Sequence, residues 1–381
     1  MSVRATAREA GYSDHTLLSK VLNGQREPTP YLAARLDDAL GADGEIKAAL
    51  PPRPAVPAQK SAAAEIEAIE LARRAMASDV GDGTCERLER AVDDLAIAYP
   101  STPPTDLLPR VRAHLGYAER LLDGRATLGQ RRRLLASCGW LSLLTATLLT
   151  DLHQDAPALA WLRTAADLAR EAGHRELGAW CAETRAWKAL TDGGYRQAVE
   201  LSRAAQRAAY AGSSAHIQST AQEGRAWARL GDSREARAAL AAVERMVSPL
   251  PQPDRPEHHY VYDPQKADVY IATTLTWLGD AAAEGAARDV LASLEDDGTV
   301  PPRPRRIALA RLDLGLALAG AGKDDEAAAS ALDAVRSGRL APVDRPRVRE
   351  IVAAASAVHA PGARELAEAY RAAFGGRAIE P

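Results

Sequence analysis

The residues that could do chemistry are few and scattered. His258, His259, Tyr260, Tyr262 and Asp263 form the densest polar and aromatic cluster, in the run HHYVYD. Adjacent histidines in an extended segment can contribute to a metal site, but no companion stands at ligand spacing and His216 lies 42 residues away. The cluster reads as a surface or groove-lining loop able to recognise a partner. Trp140, Trp161, Trp180, Trp187, Trp227 and Trp277 could build an aromatic cage. At helical spacing they read instead as packing between helices. The basic triplet Arg131-Arg132-Arg133 reads as a solvated helix face. Gly81-Asp82-Gly83 and Gly193-Gly194 are too short to cradle phosphates, and no G-x-x-x-x-G-K-[ST] or serine elbow occurs. Cys85, Cys138 and Cys181 are odd in number and far apart, so they read as small core residues in a reducing compartment. No catalytic residue, metal or cofactor is expected.

One N-terminal stretch points its chemistry outward. A helix is predicted over Ser13–Leu22 with Ser13 as its cap. Its first turn carries Ser13, Asp14, His15 and Thr16, with Ser19 one turn on. His15 and Thr16 can donate to purine acceptors, and Asp14 can accept from a cytosine amino group. Lys20 and Arg26 can reach phosphates.

The elements that must position these residues follow from local signals. Ser2 caps a helix to Ala10, and Gly11-Tyr12 supply a turn. Asn23-Gly24 end the second helix. Thr29 caps a third, with Pro30 at its first position, and Gly41 stops it after Leu40. With apolar Ala7, Ala10, Leu17, Leu18, Val21 and Leu22, this is a helix-turn-helix layout. Proline clusters at Leu50–Gln59, Pro100–Pro109, Ser248–Pro256 and Val300–Pro304 punctuate the remainder. Alanine dominates a 381-residue chain that has one Phe, so an all-α protein with closely packed helices is expected. A unit of helix, Gly-Asp-type turn and Ala-rich helix recurs, with pivots at Gly194, Gly231, Gly279 and Gly322 and small residues Ala198, Ala236 and Ala327 after them. An α-solenoid with a concave groove is the physical consequence.

Charge restrains the reading. The chain carries net −3, and residues 1–50 hold six Lys and Arg against seven Asp and Glu. Phosphate neutralisation drives affinity for duplex DNA, so one such head should bind weakly and two in a homodimer are needed. The longest apolar stretch, Gly139–Leu149, is far short of a membrane span, and residues 1–10 do not read as a signal peptide.

The stretch SVRATAREAGYSDHTLLSKVLNGQREPTPYLAARLDDAL resembles the Cro/phage-repressor (XRE) type of helix-turn-helix. Leu18-Ser19 stand in its I-S slot, and Asn23-Gly24 through Pro28 match its tail. The family's first helix has no counterpart ahead of Ser2, so the module reads as N-terminally truncated. The recurrent unit is similar to a degenerate tetratricopeptide hairpin, at wider spacing than the usual 34 residues. Phrases such as AWCAETRAWKALTDGGYRQAVEL and SSAHIQSTAQEGRAWARLGD extend the resemblance to actinobacterial regulators that combine both parts. It implies a helix-turn-helix domain over 1–50, a linker over 51–60 and a helical-repeat body over 61–375. It also implies a cytoplasmic DNA-binding transcriptional regulator, dimeric, with a peptide, protein or small-molecule effector in the repeat groove. The contacts with double-stranded DNA would fall on Ser13, Asp14, His15, Thr16, Ser19, Lys20 and Arg26. The alternative is an interaction scaffold with a vestigial helix-turn-helix.

Overall fold

The computed structural model describes residues 2–50, 67, 69–74, 76–251, 253–254, 257–295 and 303–375. The linker expected over 51–60 lies outside them. The fold is all-α, with no strand among the described residues. Contacts divide the chain into two compact units, Met1–Arg74 and Ala75–Pro381.

The first unit's helices include Val3–Glu9, Thr16–Leu22, Pro30–Leu40 and the single turn Glu45–Ala48. Their ends follow the expected chemistry. Ser2 Oγ accepts from Ala5 N–H, and Thr29 Oγ1 accepts from Leu32 N–H with Pro30 behind it. Gly41 closes the third helix at φ 61°, a conformation that costs glycine least. Ala7, Ala10, Leu18, Leu32 and Leu36 form the small core. Arg35 donates from Nε to the Ala10 carbonyl at 3.0 Å and so holds the turn after the first helix. Buried Asp37 accepts from Ile46 and Lys47 N–H at 2.9 and 3.0 Å, capping the last short helix.

The second unit is a stack of helical hairpins in which sequence neighbours pack on one another. Its helices run from Asp82–Ala98 to Ala363–Phe374. Left-handed glycines Gly173, Gly193, Gly231, Gly279 and Gly322 each follow a helix end. One pivot differs from expectation: Gly193 has φ +81°, while Gly194 caps the next helix at φ −80°. The residue just past a helix C-terminus is the one that must turn left-handed. Gly193 and Gly231 are therefore 38 residues apart, the spacing of two helices and two turns. Ala198, Ala236 and Ala327 are fully buried after the turns, as expected of small residues where helices touch.

The two largest core clusters run from Val80 to Ala215 with Tyr260 and from Ala272 to Tyr370, with smaller ones around Ala198, Val243 and Leu275. The Leu128–Asp151 helix is long and apolar enough to cross a membrane by length and composition, yet 83% of its apolar window is buried inside the fold. Its buried threonine hydroxyls are satisfied locally: Thr145, Thr147 and Thr150 donate to carbonyls four residues back. Gly139 on this helix admits close approach, since a Cβ there would stand 2.5 Å from Leu177 Cδ2 and 3.4 Å from Leu168 Cβ. Gly139→Ala gains helix propensity but overpacks a site walled by fully buried Leu177. The expected result is a net loss of about 1–2 kcal/mol, read from the midpoint of urea unfolding.

Candidate functional site

The first unit has an outward face on its second helix and the turns beside it. Ser13, Asp14, Thr16, Lys20 and Arg26 are exposed, and His15 and Ser19 are half-buried. Leu18 on the opposite side is in the core, so the helix carries one face in and one face out. The second helix starts later than expected, at Thr16, with His15 at the cap position and making no side-chain capping bond; Asp14, just before it, and not Ser13, takes the first helical N–H. Asp14 Oδ1 accepts from Thr16 N–H at 3.0 Å, and Thr16 Oγ1 donates to Oδ2. These bonds hold the Asp14 carboxyl below its ordinary range. His15 Nδ1 stands 3.3 Å from the same carboxylate. Asp14 and Thr16 thus engage each other, which leaves His15 Nε2, Ser19, Lys20 and Arg26 as the freer polar groups of this face.

The second unit holds a feature not visible in the sequence. A cavity of about 230 Å³ opens between the inner helices of the hairpins. The Arg175–Thr191 helix supplies Trp180, Glu183 and Trp187, and Ser214–Arg229 supplies Gln218, Gln222 and Arg225. Gln265–Leu278 supplies Lys266, Tyr270 and Thr273. Arg305, Arg306 and Asp313 come from Pro304–Gly320, and Asp344 and Arg347 from the last turns before and within Arg345–Ala357. The spacing of three to four residues places each set on one helix face.

Most of the wall charges are already matched. Asp151, fully buried, accepts from Tyr99 Oη at 2.7 Å and from Arg305 Nη2 at 3.2 Å. Asp263 pairs with Arg306 at 2.7 Å. Asp313 pairs with Arg347 and accepts from Thr273 Oγ1 at 2.6 Å. Asp344 accepts from Ala341 N–H at 2.9 Å. Glu183 accepts from side-chain amides, Gln218 among them at 3.2 Å, and burial pushes its carboxyl up to about 7. Burial likewise pulls Lys266 down to about 8 and Arg347 down to about 9.

The HHYVYD run follows the groove-lining half of the expectation: apart from exposed Val261 it faces inward and does not form a surface loop. His258, Tyr260, Tyr262 and Asp263 are all inside, and His259 lines the cavity. Tyr260 packs between Trp140 and Trp180, with ring centroids 4.7 and 5.4 Å away. His259 packs on Tyr99 with centroids 4.3 Å apart, and burial holds its ring well below the ordinary histidine range, hence neutral. Three aromatic rings on neighbouring helices supply more contact than solvent could, which is why the segment turns inward. Arg131 and Arg132 are exposed, as expected of a solvated helix face, while Arg133 is half-buried and forms a bidentate pair with Glu89 at 2.7 and 2.8 Å. The three cysteines are buried thiols whose ionisation burial disfavours, pushing Cys181 up to about 12. Among the tryptophans, Trp180 is buried in the core and Trp187 joins it on the cavity wall.

No protein-family model matches the chain, and no curated protein matches it.

Proposed function

We propose that the chain is a cytoplasmic DNA-binding transcriptional regulator of the Cro/phage-repressor type whose helical-repeat body takes an effector. The observation that carries this reading is the first unit's pairing of an apolar inner face, at Leu18, with an outer face at His15, Thr16, Ser19 and Lys20. A recognition helix needs that division to sit in a major groove. Lys20 and Arg26 grip phosphates, while His15 and Ser19 read base edges. Two heads of a homodimer engage half-sites about one helical turn apart. The effector biases the body between two arrangements that hold the heads differently.

Gel-shift titration of the full chain on its own upstream DNA tests the reading. His15→Ala is expected to relax preference at one base position while leaving total affinity within a few-fold. Equal binding of unrelated duplexes by wild type and His15→Ala alike would remove the sequence-reading role.

A further inference from the structure

Two cations of the cavity wall that no carboxylate matches define what the cavity lacks. Lys266 is enclosed by the wall, and among the described residues no carboxylate lies within 4.0 Å of its ammonium. Arg225 donates from Nη1 to Gln222 Oε1 at 2.8 Å, and its Nε has no acceptor. Its guanidinium packs over Tyr270 at 5.2 Å and Trp277 at 4.7 Å, which fixes its plane without supplying charge. Of the carboxylates nearby, only Glu183 acts on both cations, and it forms no ion pair with either among the described residues; the others are engaged elsewhere. Asp263 and Glu257 face Arg303 and Arg306, Asp313 faces Arg347, and Asp151 faces Arg305. Glu183 holds Gln218 and, among the described residues, makes no ion pair. A buried ionised group without a partner is costly, and an incoming opposite charge removes that cost.

Size and lining narrow the partner. About 230 Å³ falls just below the range of roughly 300–1,000 Å³ typical of small-molecule pockets, too little for an extended peptide. Trp180, Trp187, Tyr99 and Tyr270 give the cavity flat apolar walls. The acidic groups in and behind the wall, Glu183, Glu257, Asp263, Asp313, Asp344 and Asp151, disfavour a multiply charged anion. We propose that this cavity binds a small aromatic monocarboxylate, its carboxylate held by Lys266 and Arg225 and its ring lying against the tryptophan walls. The depressed basicity of Lys266 and Arg225 fits a site missing its counter-ion. The proposal names the effector class of the regulator reading, and its binding step is measured without DNA, so failure of either is distinguishable from failure of the other.

The test is calorimetric titration of the full chain with benzoate and indole-3-acetate, paired with benzamide and indole-3-acetamide, and with inorganic phosphate. Tryptophan fluorescence follows the same titrations, because Trp180 and Trp187 line the site. One saturable site for a carboxylate is expected, with the matched amide and phosphate at least tenfold weaker. Lys266→Met and Arg225→Met should each weaken the carboxylate at least tenfold, Lys266→Arg should retain it within a few-fold, and Arg132→Ala, outside this cavity, should leave it unchanged. Circular dichroism confirms that each variant is folded. No binding of either carboxylate at millimolar concentration overturns the proposal. So does an amide or phosphate that binds as tightly, or a folded Lys266→Met that binds like wild type.

Discussion

Asp151→Ala is expected to lower the stability of the helical-repeat body by about 3–5 kcal/mol, because it strands a buried charge. Asp151 closes the Leu128–Asp151 helix, where a carboxylate meets the negative end of the helix dipole. It is tolerated there because Arg305 and Tyr99 both donate to it and solvent is excluded. Arg305 also packs over the Tyr99 ring at 5.2 Å, so the three groups form one unit. Removing the carboxylate leaves a guanidinium in the interior with only a ring face beside it. Urea unfolding followed by circular dichroism reads the loss, and Asp151→Ala with Arg305→Met should recover much of it, because the stranded charge is then gone. A single-variant loss below about 1 kcal/mol would mean that water reaches Arg305.

Glu183→Gln is expected to act in the opposite direction. Burial raises this carboxyl in the folded chain to about 7 from an ordinary 4.5. The folded state therefore binds the proton more tightly than the unfolded state. Its contribution is fully present below about pH 4.5 and is lost as pH rises through 7. Integrated over that window the loss is on the order of 3 kcal/mol. Glutamine keeps the acceptor oxygen for Gln218 and carries no charge to desolvate. The variant should be more stable than wild type by about 1–3 kcal/mol at pH 8 and nearly equal to it at pH 4.5. Lys266, drawn down to about 8, gives the reverse slope: its contribution is present above its ordinary 10.5 and is lost as pH falls through 8. The two groups together make the cavity least stable near pH 7 to 8, where both are charged. Thermal unfolding midpoints across pH 5 to 9 check this, and parallel curves for wild type and Glu183→Gln would contradict it.

The helix ends of the first unit are legible in the sequence because their signals are local. Ser2, Thr29-Pro30 and Gly41 act within one turn of where they stand, and each does what its side chain or its lack of one dictates. The start of the second helix is ambiguous because Ser13 and Asp14 are both competent caps. Only the Asp14–Thr16 bonds decide between them. The same one-residue ambiguity arises in Gly193-Gly194, where two glycines could each turn left-handed. The cavity is not legible. Glu183, Gln218, Gln222 and Arg225 sit three to four residues from other polar positions on their helices, the spacing of an ordinary solvated stripe. That this stripe faces inward depends on Lys266, Arg305 and Arg347, which arrive from helices much later in the chain. The inward turn of Tyr260 is likewise fixed by Trp140 and Trp180, far away in sequence.

The most direct test of the regulator reading is the salt dependence of duplex binding by the full chain, measured by fluorescence anisotropy on its own upstream DNA. Wild type should bind at low salt with affinity falling linearly on a log–log plot, and Lys20→Ala should make that slope shallower by about one unit while weakening all sequences alike. Absence of binding at low salt, or a Lys20→Ala slope identical to wild type, would contradict the assignment of this face to DNA.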